Sequence, residues 1–185
     1  MTGTGGQAGL RTLVAGVGNV FLGDDGFGVE VARRLREVPL PGHVEVVDVG
    51  VRGVHLAYQL LDGYDTLVLV DATCRGSAPG TLHLLDVDDA EEGRPVAAVL
   101  DGHRMTPDAV LALLATLCSG TGAARPRRVW VVGCEPATVE EGIGLSAPVA
   151  AAVEGAVRMV VEVVTETSPA PSGPAHTERE EHTPC

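Results

Sequence analysis

Thr66-Leu67-Val68-Leu69-Val70, followed at once by Asp71, is the stretch that decides the fold. It shows no polar alternation, so it reads as a strand with both faces buried. Such a strand belongs in the interior of a parallel sheet that helices cover on both sides. Leu13–Val17 is a second apolar run, and it enters the tight loop Gly16-Val17-Gly18-Asn19. Beyond it, Val29, Val31, Ala32 and Leu35 recur at helical spacing, with Asp24 placed to cap that helix and Pro39 and Pro41 to end it.

His43–Val49 alternates as a strand closed by Gly50, and Val54–Leu61 reads as a short helix stopped by Gly63. Thr81–Leu85 is a fourth strand, placed at an edge by its charged neighbours. Asp86–Gly102 is an acidic loop. Thr106-Pro107-Asp108 then starts a helix running to about Cys118, with Thr as N-cap and Pro at the first helical position. Arg128–Gly133 is a fifth strand, and Ser146 opens a last helix ending near Thr165. Strands alternating with helices give the fold class: α/β, three layers, a mostly parallel twisted sheet of about five strands with helices on both faces. The expected organisation is a flexible N-terminus at 1–10, a single α/β domain at 11–165 and a disordered acidic, Pro-rich tail at 166–185.

With 45% apolar residues and a mean hydropathy of +0.20, the 185-residue chain can build a real core. All 13 basic residues are arginine, against 25 acidic ones, for a net charge of −12. That field repels phosphate backbones and anionic lipid, so nucleic acid and membrane surfaces are not expected partners. Only 3% of residues are aromatic, which suits thin helix-on-sheet layers. The four cysteines, Cys74, Cys118, Cys134 and Cys185, include no CxxC pair. This argues against a disulfide framework or zinc knuckle and for a reducing, cytoplasmic setting. No uncharged apolar run reaches the ~20 residues of a membrane helix.

In a sheet of this kind ligands bind at the carboxyl ends of the strands. Asp24, Asp25, Asp48, Asp71, His103, Cys134 and Glu135 all fall on that rim. Among them Asp25, Asp71 and His103 make a mixed oxygen and nitrogen donor set suited to a borderline divalent ion such as nickel or zinc. A cation there would offset the repulsion between two carboxylates. The bland alternatives are a turn or cap role for Asp71, a helix cap for Asp24 and a solvent-facing loop position for His103. Cys74 reads as a buried cysteine beside a strand. Gly16-Val17-Gly18 suggests a dinucleotide loop, but Phe21 replaces the third glycine, and two aspartates stand where a pyrophosphate should sit. No Gly-x-Ser-x-Gly elbow and no HExxH motif occurs, so no standard hydrolase nucleophile is advertised.

Val17-Gly18-Asn19 and Gly23-Asp24-Asp25-Gly26-Phe27-Gly28 resemble the N-terminal signature of the hydrogenase maturation proteases. The likeness continues through Asp48-Val49-Gly50, Leu67–Ala72, Pro79-Gly80, His103, Val132-Gly133, Glu135-Pro136 and Gly142–Ser146. The resemblance implies an endopeptidase that trims the C-terminus of a NiFe-hydrogenase large-subunit precursor already carrying nickel. It implies metal contact by Asp25, Asp71 and His103, and substrate contact by the loop at Asp48 and Gly50. The nickel would be carried by the substrate, other divalent metals could occupy the same site, and a monomer is expected. Val51 follows Gly50 where many members have a small polar residue. Two other readings stand beside this one. One is a non-catalytic α/β module that binds the metallated precursor or a metal-delivery partner; the other is a small-ligand enzyme using the glycine loop.

Overall fold

The computed structural model describes residues 10–87 and 107–167, without the side chains of 107–113. Most of the expected N-terminal segment, acidic loop and tail, and His103 itself, lie outside those residues. Five strands form one sheet: β1 (Thr12–Val17), β2 (Val44–Gly50), β3 (Thr66–Ala72), β4 (Leu82–Asp86) and β5 (Arg128–Cys134). Their order is β2-β1-β3-β5-β4; all pairs are parallel except β4 with β5, which is antiparallel. Thr66–Val70 is fully buried at the centre of that sheet, as its unbroken apolar run predicts.

Four helices cover the two faces: α1 (Phe27–Leu35), α2 (Gly53–Leu60), α3 (Pro107–Thr121) and α4 (Ala147–Glu166). The strand period of two sorts side chains between the layers. Leu13, Leu67, Leu69 and Val131 face α2 and α3, where they meet Leu56, Leu60 and Leu114. Val14, Val68, Val70 and Val132 face α1 and α4, where they meet Phe27, Val31, Val153 and Val160. α3 continues three residues past Cys118, to Thr121, and ends at Gly122, whose φ of 74° lets its N–H donate to the Cys118 carbonyl at 2.9 Å.

Two glycines set how closely α1 approaches the sheet. A Cβ on Gly28 would overlap the carbonyl oxygens of Val70 and Val17, and one on Gly16 would overlap that of Gly28. The helix backbone therefore rests directly on the ends of β1 and β3. The chain leaves β1 toward β2 on one side, while β3 lies on the other, so the strand order reverses between β1 and β3. The crevice at their carboxyl ends is the expected ligand position of such a sheet.

Candidate functional site

The turn that carries the two adjacent aspartates is built above this crevice. After β1 the chain turns at Gly18, whose φ of 131° and close approach to the Asp25 carbonyl admit no side chain. Gly18 N–H donates to the Gly50 carbonyl at 3.0 Å, tying the β1 loop to the end of β2. Gly23–Gly26 then forms a single 3₁₀ turn, which packs against β3. Asp25 lies in it at 7% exposure, and its Oδ2 accepts the Asn19 amide at 2.9 Å. Asp71, half-buried, is the penultimate residue of β3, and its Oδ1 accepts the Ala72 amide at 2.8 Å. The fold thus brings the turn bearing Asp25 against the strand bearing Asp71.

Asp48 and Gly50 stand at the end of β2, beside the same loop. The register of β1 with β2 slips between Gly16 and Val17, so that Gly16 pairs with Asp48 and Val17 with Gly50. Gly50 takes a φ of 56°, and Arg52 donates to the carbonyls of Asp48 and Val49. Among the described residues no three His, Cys, Asp or Glu side chains gather as a cation site. The third expected ligand, His103, lies outside them. Asp25 and Asp71 are carboxylates, and carboxylate oxygens belong to the donor class that divalent ions take.

Asp24 departs from its expected role. α1 has Gly26 as N-cap with no side-chain bond, so Asp24 does not cap it. Its carboxylate is fully buried and turned the other way. Oδ2 accepts the amides of Ala137 (2.8 Å) and Thr138 (3.1 Å) and the Ser146 hydroxyl (2.8 Å); Oδ1 accepts the Ser146 amide (2.6 Å). Burial opposes ionisation, yet the bonds from Ser146, Thr138 and Ala137 outweigh it and hold the carboxyl below its ordinary 3.8. Ser146, the N-cap of α4, spends its hydroxyl on Asp24 and makes no side-chain cap of its own. Asp24 therefore joins the turn bearing Asp25 to the start of α4.

A third buried carboxylate, Glu135, follows β5 at 6% exposure. Burial raises its proton affinity, but the backbone amides of Arg75, Ser77 and Gly76 prevail and lower it below 4.5. The sequence places Glu135 on the rim without giving it this task, since its partners lie some sixty residues away. Cys134, paired across the ladder with Ala72, is a thiol: burial first, then the charges of Asp24 and Glu135, push it up to about 11. Cys74 is exposed rather than buried, because it sits in the loop beyond β3 and not against the sheet. The dinucleotide alternative loses further ground, since buried carboxylates occupy the turn that leads into α1.

A family model described as hydrogenase maturation protease matches residues 29–163. The hydrogenase 2 maturation protease of Escherichia coli is 32% identical over 160 residues, covering 85% of this chain and 93% of its own. The hydrogenase expression/formation protein HoxM of Azotobacter vinelandii is 35% identical over 157 residues, covering 83% and 72%. Among solved structures, the hydrogenase maturating endopeptidase HybD of E. coli superposes with a TM-score of 0.70 at 31% identity, covering 85% of this chain and 93% of that one.

Proposed function

The chain belongs to the hydrogenase maturation protease family and is a peptidase, and we propose that it removes the C-terminal peptide of a nickel-loaded NiFe-hydrogenase large-subunit precursor. The observation that supports this reading is the packing of the turn that bears Asp25 against β3, the strand that bears Asp71. The nickel enters as part of the substrate. Asp25 and Asp71 offer it oxygen donors and His103 a nitrogen donor, so a precursor without metal lacks the group that these side chains recognise. The site accepts other divalent ions of similar preference in its place. Asp48 and Gly50 flank the path of the scissile segment at the end of β2.

Water is the nucleophile in this reading. Cys134, in the strand beside Asp71, stays protonated at neutral pH, and the buried Asp24 and Glu135 are consumed by backbone amides. Nickel, when bound, would be held by Asp25, Asp71 and His103 and would supply a Lewis acid able to polarise a carbonyl or activate water. The protein is proposed to work as a cytoplasmic monomer. Among the described residues no helix is long and apolar enough to cross a membrane. Asp25→Asn and Asp71→Asn test the assignment, because each keeps shape while weakening a metal-binding oxygen donor. Cleavage of the nickel-loaded precursor is expected to fall at least ~100-fold in each, with an unchanged far-UV spectrum. Wild-type rates in both variants would refute it.

A further inference from the structure

Glu135 is fixed on its backbone before its side chain acts. Its N–H donates to the Thr81 carbonyl at 2.9 Å, and its own carbonyl accepts the Gly80 amide at 2.8 Å. From that anchored position the carboxylate reaches the loop after β3. Oε2 accepts the Arg75 amide at 2.8 Å and Oε1 the Gly76 amide at 3.1 Å. His83 of β4, opposite Gly133 in the ladder, brings Nε2 to 3.8 Å from Oε2 on the remaining side. With both oxygens engaged and 6% exposure, this carboxylate is not available to a substrate.

The loop it grips begins after Ala72, one residue past Asp71. β3 runs beside β5 with Asp71 opposite Gly133 and Ala72 opposite Cys134, and Thr73 N–H donates to the Cys134 carbonyl at 2.9 Å. The Thr73 side chain lies over Gly133, in space that a Cβ there would occupy. The Asp71 carboxylate is aimed by its bond from the Ala72 amide, so its direction follows the backbone of the residue leading into the gripped loop. We infer that Glu135 is a positioning residue for Asp71: by pinning Arg75 and Gly76 to the end of β5, it fixes the Ala72 amide and through it the Asp71 carboxylate. Outer partners of this kind orient the groups that meet a metal or substrate.

The test uses the full chain with Glu135→Ala and Glu135→Gln; the glutamine keeps one acceptor oxygen and turns an NH₂ toward an amide donor. Amide hydrogen exchange is read at Ala72, Arg75, Gly76 and the sheet-centre residue Val68. Precursor cleavage is read as kcat and KM, and this arm alone rests on the proposed processing function. In Glu135→Ala the Ala72 amide should exchange at least ~10-fold faster while Val68 is unchanged. kcat should fall ~10–100-fold with KM nearly constant, and Glu135→Gln should lie between. Should Glu135→Ala fail to fold, the glutamine variant carries the same readings. Faster exchange at Arg75 and Gly76 with wild-type exchange at Ala72 would overturn the inference, whatever happens to kcat. Faster exchange at Ala72 in a protein whose wild type cleaves no precursor would support the positioning and sink the processing function instead.

Discussion

Asp24→Ala should be among the costliest single changes outside the apolar core. The substitution deletes an acceptor of four hydrogen bonds and leaves the amides of Ala137, Thr138 and Ser146 facing a void. A hydrogen bond to a charged group contributes ~1.5–3 kcal/mol. The four do not add, because a loosened 137–146 loop can return its donors to water, so ~3–5 kcal/mol is expected. For a domain of this size that lowers the melting temperature by about 10 °C or more. Asp24→Asn should cost less, since its carbonyl can keep one cluster of donors while its NH₂ confronts another. Acid dependence gives a second reading. The folded carboxyl ionises below its ordinary 3.8, so its contribution is whole above that value and is lost as pH falls through the lower folded one. The wild type should therefore weaken on acidification below about pH 4, and Asp24→Ala should show a flatter acid limb. Urea melts of both proteins at neutral pH and in mild acid measure all of this. A neutral-pH loss under ~1 kcal/mol would refute the clamp, because losing four hydrogen bonds to a charged carboxylate costs more than that even when the freed amides reach water.

Gly28→Ala should destabilise by at least ~3 kcal/mol or abolish soluble expression, because the new Cβ meets backbone oxygens of two strands; a wild-type melt would show that α1 does not rest on β1 and β3 as described. In a Cys185→Ser background, native iodoacetamide labelling at pH 8 should mark exposed Cys74 and spare Cys134, whose thiolate fraction there is about one in a thousand. Rapid labelling of Cys134, read by peptide mass mapping, would contradict its burial.

How far the fold could be read in advance depended on how local each cause was. Thr66–Val70 announces a central strand because burial on both faces leaves its mark in the residues themselves. The edge position of Leu82–Asp86 shows likewise in its charged surroundings. The antiparallel sense of that strand does not, since it follows from how the chain enters the sheet. Asp71 could be picked out as an acid ending an apolar strand, and Asp25 as one following a glycine loop. Asp24, its immediate neighbour, looked like a helix cap because caps are local. Its real partners stand 113 to 122 residues away, and no spacing rule connects them. Glu135 and the Arg75–Ser77 loop were hidden for the same reason. The aspartates proposed to meet substrate were legible as residue types in suggestive places, while the carboxylates that hold them were not.

Whether the peptidase acts only on metallated precursor is decided by a single cleavage experiment. The purified chain is incubated with a NiFe-hydrogenase large-subunit precursor in nickel-loaded and nickel-free form, and the intact mass of each precursor is followed. A single C-terminal peptide should be lost from the nickel-loaded precursor, and the mass of the nickel-free one should stay unchanged. Equal cleavage of both would contradict recognition through the metal, and stable binding of the loaded precursor with no change in mass would contradict its cleavage.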